Sequence, residues 1–158
     1  MLLFDGHLDI SMNAVEFNRD VTKSLKEIRD REAEKLDYKD RGKGILTLDE
    51  MRKGQIGVCI ATQIGRYVAP ETNMPGWNSP DIAWAITQAQ LAWYRVMEDH
   101  GQMTQITNRD ELNAHVDLWK TAGDTSTLPI GYILSLEGAD SIINLGYLEK
   151  AYAYGLRA

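Results

Sequence analysis

The architecture of this chain can be inferred from PIGYILSLEG, residues 129–138. The segment is almost continuously apolar up to Leu136, and a carboxylate, Glu137, follows directly. An apolar run of this length between a proline and a glycine is typical of a buried strand. Because an ionised carboxylate is costly to bury unless it is paired or bound to metal, we interpret the segment as a strand that ends in a polar site.

Two further apolar runs extend this interpretation. Residues 56–64 are apolar almost throughout, which is typical of a strand covered on both faces. Residues 2–10 are interpreted as a buried strand that becomes polar at its C-terminal end. Helices are predicted at residues 22–36, after Thr47, from Pro80, after Thr107 and at residues 144–154. Apolar strands separated by crossover helices predict a parallel sheet in an α/β fold.

Composition excludes several classes of protein. With 158 residues, 44% hydrophobic and 25% charged, the chain fits one globular domain. A net charge of −6 without a basic stripe argues against a nucleic-acid partner. The charged residues 19–53 are interpreted as a solvated helical face. The single cysteine, Cys59, excludes an intramolecular disulfide and is predicted to be a buried, inert thiol. No signal peptide or membrane span is recognised, so we expect a cytoplasmic protein.

Three metal-capable side chains are predicted to meet at one end of the sheet. His7 and Asp9 are two residues apart on the first strand, so both point to the same face. Glu137 occupies the corresponding end of the last strand. In a parallel α/β barrel these strand ends form the active-site face, and His with Asp or Glu is a normal zinc ligand set. Taken alone, His-x-Asp is more often a polar turn, and Glu137 could instead cap the following helix.

The same residues lie in two motifs, Asp-Gly-His-Leu-Asp at 5–9 and Ser-Leu-Glu-Gly-Ala at 135–139. The first resembles the Asp-Gly-His-x-Asp opening of the renal (membrane) dipeptidase family, peptidase family M19 of the amidohydrolase-like metallohydrolase superfamily. The second is similar to that family's signature in which the Glu bridges two zinc ions. Residues 154–157 resemble the strand entry that comes next. The first metal-binding motif of the wider superfamily is typically His-x-His. Because Asp9 stands in place of the second histidine, the resemblance is to this family in particular.

The resemblance implies the N-terminal part of a (β/α)8 TIM-type barrel that carries a binuclear zinc site. His7 and Asp9 would bind the first zinc ion, and Glu137 would bridge to the second. The implied reaction is hydrolysis of a dipeptide, or a similar small amide, by a hydroxide shared between the two metal ions. In this family the remaining histidine ligands and the catalytic groups come from later strands, so no catalytic residue is assigned within this chain.

The end of the chain leads to an expectation about the domain. Residues 155–158 follow a predicted helix, where a fourth strand is expected to begin. A closed barrel needs at least about 200 residues, so residues 1–158 are expected to be the N-terminal half of one barrel domain, truncated at that strand. The open strand edge would favour homo-oligomers or another association. Two alternatives stay open, namely another metal-dependent hydrolase or a catalytically incomplete half-barrel fragment.

The other histidines and one long loop are weaker site candidates. His100 is predicted at the C-terminal end of a helix, where a cation interacts favourably with the helix dipole. His115 is predicted within a helix and exposed to solvent. The loop at residues 65–78 is a candidate wall of a substrate cleft, although Tyr67 and Trp77 are more simply interpreted as packing the loop onto the fold.

Overall fold

A computed structural model describes residues 1–158 as a parallel sheet with helical crossovers. The strands are β1 (Leu3–Leu8), β2 (Ile56–Gln63), β3 (Met103–Gln105) and β4 (Ile130–Leu136). The helices are α1 (Ile10–Val15), α2 (Leu25–Glu32), α3 (Leu48–Lys53), α4 (Pro80–Asp99), α5 (Arg109–Thr121) and α6 (Leu145–Ala153). All pairs are parallel and the spatial order is β1-β2-β4-β3. The predicted α/β fold with a parallel sheet is confirmed.

Side-chain caps begin the helices where the sequence predicts them. Ser79 accepts a hydrogen bond from the backbone N–H of Ile82, and Pro80 fills the first position of α4. Thr47 caps α3 in the same way. His100 follows the last residue of α4, as predicted. None of the helices combines the length and the apolar character needed to cross a membrane.

The core lies where α4 packs on the two central strands. Tyr94 of α4 stacks on Tyr132 of β4, with the ring centroids 4.9 Å apart. Cys59 of β2 is fully buried in the same cluster, and burial raises the pKa of its thiol to about 12. A thiol with this pKa stays protonated and unreactive near neutral pH, so the predicted buried, inert cysteine is confirmed.

The first strand is less buried than predicted. Leu3 and Phe4 of β1 are exposed because β1 forms one edge of the sheet and pairs only with β2. The strand also ends earlier than expected, since Ile10 already begins α1. The interpretation of residues 2–10 as a buried strand is therefore wrong about burial.

The opposite edge of the sheet contains an element that the sequence pattern does not predict. The short strand β3 pairs with the first half of β4. Beyond it, Leu156 forms a parallel bridge with Leu134, and the N–H of Arg157 donates to the carbonyl of Leu134 at 2.9 Å. The residues after α6 thus begin to pair with β4 at the position where the sequence predicts the next strand.

His115 is buried, so its predicted exposure is wrong. Its Nε2 lies 2.9 Å from the carbonyl oxygen of Gly57, and burial lowers the pKa of the imidazole. A Cβ at Gly131 would lie 2.8 Å from the His115 ring. Because glycine leaves that space open, α5 can lie close enough to the sheet to bury the histidine.

The charged residues 19–53 are not a uniformly solvated face. Arg19, Glu32 and Arg41 form a buried charge cluster, in which the Glu32 side chain is only 3% exposed. Its carboxylate oxygens accept from Arg19 Nε at 2.8 Å, from Arg41 Nη1 at 2.7 Å and from the backbone N–H of Gly42 at 2.8 Å. The prediction of a solvated face holds for neighbours such as Lys26 and Asp30, but not for this cluster.

Candidate metal centre

The structure brings His7, Asp9 and Glu137 together at the C-terminal end of the sheet. His7 lies near the end of β1, Asp9 precedes the first residue of α1, and Glu137 directly follows β4. The backbone N–H of Glu137 donates to the carbonyl of Gln63, the last residue of β2, at 2.9 Å. Strand β2 thus fixes the end of β4 relative to β1. We call these three residues the metal-ligand cluster.

The separations within the metal-ligand cluster suit a metal ion. His7 Nε2 lies 3.2 Å from Asp9 Oδ1 and 3.5 Å from Glu137 Oε2, and the three ligand atoms all lie within 4.8 Å of one another. Two ligands of a tetrahedral zinc ion at about 2.0–2.2 Å are about 3.3–3.6 Å apart. One nitrogen and two carboxylate oxygens also match catalytic zinc sites, in which three protein ligands leave a position open.

Asp9 carries a buried oxygen that no protein group hydrogen-bonds with normal geometry. Its Oδ1 makes no hydrogen bond of normal geometry, although it lies close to His7 Nε2. Burial raises the pKa of Asp9; the proximity of His7 opposes this rise and the Glu137 carboxylate adds to it. A buried oxygen that lacks a donor is costly unless a cation or a donor reaches it. This unpaired atom fits a metal ion at the cluster.

Neither carboxylate of the metal-ligand cluster caps a helix, so the alternative role of Glu137 as a cap does not apply. Asp9 precedes α1, but its side chain makes no cap hydrogen bond. Glu137 does not cap α6 either, because Asn144 fills that role. Gly138 turns the chain directly after Glu137 with φ +79°, a conformation that favours glycine. The turn lets the chain leave β4 while the Glu137 carboxylate stays beside His7.

The metal-ligand cluster is open to solvent on one side. The side chains of His7 and Glu137 are 55% and 42% exposed. A pocket of about 400 Å³ adjoins the cluster, and its walls include His7, Asp9, Arg19 and Lys43 together with apolar residues such as Leu46. A small polar molecule can therefore reach the ligands from the side of residues 40–46.

The other predicted candidates lie outside the metal-ligand cluster. His100 ends α4 and His115 contacts Gly57, so neither joins it. Tyr67 and Trp77 are paired with each other across the loop at residues 65–78. The role of that loop as a cleft wall stays a prediction.

Two supporting residues, Asn13 and Arg19, are missed by the sequence reasoning. Asn13 Nδ2 donates to the carbonyl oxygen of Asp9 at 2.8 Å, and Arg19 Nη1 donates to Asn13 Oδ1 at 2.6 Å. The signal for Asn13 was its position four residues after Asp9, which places it one helical turn away. No local pattern points to Arg19, because its partners depend on the tertiary fold.

Comparison with known proteins identifies the fold. No protein-family model matches the chain, and no curated protein matches it significantly. Among solved structures, it is similar to dipeptidase AC, a metallo peptidase of family M19, with a TM-score of 0.60 and 20% identity over 99% of this chain and 41% of that one. It is also similar to a metallo peptidase from Rhodobacter sphaeroides liganded with a phosphinate mimic of the dipeptide L-Ala-D-Ala, with a TM-score of 0.59, 19% identity and coverage of 99% and 44%.

These similarities extend over almost all of this chain but only about two fifths of each solved structure. At about 20% identity they concern the fold, and they agree with the resemblance carried by residues 5–9 and 135–139. The chain has the fold of a part of the M19 metallopeptidases, with His7, Asp9 and Glu137 grouped at the C-terminal ends of its strands.

Proposed function

We propose that this chain forms part of a zinc-dependent dipeptidase, in which His7, Asp9 and Glu137 hold metal. The observation that carries the proposal is the metal-ligand cluster itself, one nitrogen and two carboxylates whose ligand atoms lie within 4.8 Å of one another. Its place at the C-terminal strand ends is where barrel enzymes have their active sites. The similarity to two metallopeptidase structures supports the same class of reaction.

Each ligand has a distinct part in this proposal. His7 supplies the nitrogen ligand, and Asp9 supplies a buried oxygen that makes no hydrogen bond of normal geometry. Glu137 contributes one oxygen beside His7 and, in a complete site, would bridge to a second zinc ion with the other. When bound, zinc supplies Lewis acidity, which lowers the pKa of water and polarises a peptide carbonyl.

The pocket beside His7 and Asp9 is the proposed entry for substrate. Its polar wall includes Lys43 and Asp40, which carry opposite charges, and its apolar wall includes Leu46. Such a mixed surface suits a small molecule that carries both charges and a side chain. We therefore propose a dipeptide, or a similar small amide, as the substrate.

The three ligands make only part of a binuclear site. We propose that residues 1–158 form the N-terminal half of one barrel domain and that the remaining ligands and catalytic groups come from outside them. The exposed Leu3 and Phe4 at the edge strand β1 favour association at that edge, either with further barrel strands or with another copy.

The proposal is tested by zinc-dependent hydrolysis in the complete gene product that contains this chain. Release of free amino acids from a panel of dipeptides is measured for wild type and for His7→Ala and Glu137→Gln. We expect activity that depends on zinc in wild type and is lost in both variants, which remain folded. His100→Ala serves as the matched control and should retain activity, because His100 lies outside the metal-ligand cluster.

Wild-type rates in either ligand variant would contradict the assigned roles. Activity on N-acyl amino acids, lactones or phosphoesters, with none on dipeptides, would favour another metal-dependent hydrolase. A zinc-loaded protein that is inactive on every substrate would contradict the enzyme proposal.

A further inference from the structure

We infer that Asn13 and Arg19 are positioning residues that set the location of the Asp9 carboxylate within the metal-ligand cluster. This inference rests on the proposed metal site and deepens it. It follows from a continuous chain of hydrogen bonds that joins the backbone of Asp9 to the buried charge cluster.

The first link holds the backbone of Asp9. Its carbonyl oxygen accepts from the backbone N–H of Asn13 at 3.1 Å and from Asn13 Nδ2 at 2.8 Å. The backbone hydrogen bond is the ordinary helical one, whereas the side-chain bond is specific to asparagine at this position. Since Asp9 makes no cap hydrogen bond with its own side chain, Asn13 supplies a side-chain contact at the start of α1.

The second link fixes Asn13. Arg19 Nη1 donates to Asn13 Oδ1 at 2.6 Å, which orients the amide so that its Nδ2 faces Asp9. The same guanidinium donates to both carboxylate oxygens of Glu32, from Nε at 2.8 Å and from Nη2 at 3.2 Å. A planar fork of this kind engages several acceptors in one fixed geometry, which a lysine cannot reproduce.

The third link anchors Arg19 in the interior. Its side chain is 10% exposed and that of Glu32 is 3% exposed, and Glu32 is held in turn by Arg41 and by the N–H of Gly42. The chain of contacts therefore ends in a rigid, buried group. A displacement of Asn13 or Arg19 is expected to shift the backbone of Asp9, because hydrogen bonds join each of these residues to the next.

The consequence concerns metal affinity. The side chain of Asp9 has only two rotatable bonds, and its Oδ1 makes no hydrogen bond of normal geometry that would hold it in place. Its position relative to His7 Nε2 is therefore set by the backbone of Asp9. Ligands must be held within about 0.5 Å of productive geometry, and loss of supporting partners typically lowers metal affinity about 10–100-fold.

The experiment, in the complete gene product, compares zinc affinity in wild type, Asn13→Ala and Arg19→Lys, with Asn113→Ala and Arg31→Lys as matched controls. The control side chains are exposed and make no hydrogen bonds within the chain. Zinc affinity is measured by competition with a chromophoric chelator, and the fraction of folded protein is measured by circular dichroism at each step. The absorption spectrum of the Co²⁺-loaded protein reports the ligand geometry separately from activity.

We expect about 10-fold to 100-fold weaker zinc binding by the folded Asn13→Ala and Arg19→Lys proteins, a shifted Co²⁺ spectrum, and wild-type values in both controls. Wild-type affinity and spectrum in folded Asn13→Ala would overturn the inference. Arg19→Lys keeps the positive charge beside Glu32. If Asn13→Ala does not fold, wild-type zinc affinity and a wild-type Co²⁺ spectrum in Arg19→Lys would overturn the inference in the same way. Failure of the complete wild-type gene product to bind zinc would instead refute the proposed function, so the two failures are distinguishable.

Discussion

Two groups of ionisable side chains, linked to each other through Asn13, differ in how their charges are satisfied. In the buried charge cluster, the Glu32 carboxylate accepts hydrogen bonds from Arg19, Arg41 and Gly42. In the metal-ligand cluster, Asp9 Oδ1 makes no hydrogen bond of normal geometry, and its nearest polar neighbour is His7 Nε2 at 3.2 Å. Burial alone would raise the pKa of Glu32, but its partners lower it to about 2, whereas the pKa of Asp9 is raised. A buried carboxylate whose oxygens accept hydrogen bonds stabilises the fold. A buried carboxylate oxygen without such bonds indicates a site that binds a cation.

The largest expected effect is loss of stability when the buried charge cluster is broken. Glu32→Gln leaves the buried Arg19 guanidinium without its carboxylate and Arg41 with Asp37 alone, so we expect about 3–5 kcal/mol less stability. Urea unfolding followed by circular dichroism measures this change. Glu34→Gln is the matched control, because Glu34 is exposed. A loss below 1 kcal/mol in Glu32→Gln would contradict the structural role of the buried charge cluster.

The same cluster predicts how stability depends on pH. The folded pKa of Glu32, about 2, lies below its ordinary value of 4.5. Its contribution is therefore fully present above about pH 4.5 and is lost as the pH falls toward 2. The difference corresponds to about 3 kcal/mol. Urea titrations of wild type and Glu32→Gln between pH 2 and 7 should converge at the acid end; a constant gap would show that Glu32 does not titrate as described.

The metal-ligand cluster should show the opposite response to substitution. Asp9→Asn removes a ligand but also a partly buried charge with a raised pKa. We expect zinc affinity to fall more than about 100-fold, while the stability of the metal-free protein changes by less than about 1 kcal/mol. Chelator competition and urea unfolding measure the two quantities. A large loss of stability without loss of zinc binding would show that Asp9, like Glu32, stabilises the fold and does not bind metal.

The smallest effect is expected for an exposed ion pair in the helix that also carries Glu32. Lys26 and Asp30 of α2 form an i,i+4 pair whose side chains are 83% and 63% exposed. Water and salt screen such pairs, so Lys26→Ala should leave the urea midpoint of unfolding unchanged. If Lys26→Ala lowered the urea midpoint as much as Glu32→Gln does, burial would not explain why Glu32 contributes more to stability than the exposed pair on the same helix.

The sequence predicts the elements of this fold well because their signals are local. Strands β2 and β4 appear as apolar runs, and Ser79 and Thr47 cap helices that begin where their motifs predict. The three residues of β3 are too few to show a period. The exposure of Leu3 and Phe4 was also unpredictable, because it depends on the order of strands in the sheet.

The residues of the candidate site likewise fall into those that local patterns predict and those that depend on the tertiary fold. His7 and Asp9 could be paired from their spacing, and Glu137 could be added because parallel strands end on one side of a sheet. Arg19 and Glu32 are 13 residues apart, and no periodic pattern relates them. The burial of His115 likewise depends on a contact with Gly57, which is 58 residues away in the sequence. Interactions that arise only from tertiary packing were therefore missed.

Zinc binding tests the central claim most directly. Isothermal titration of the complete, metal-free gene product with Zn²⁺ is carried out for wild type and for Glu137→Gln, which preserves the shape of the side chain and removes its charge. We predict saturable binding in wild type and affinity at least about 10-fold weaker in Glu137→Gln. Equal affinity in the two proteins, or no binding by wild type, would contradict the assignment of His7, Asp9 and Glu137 as metal ligands.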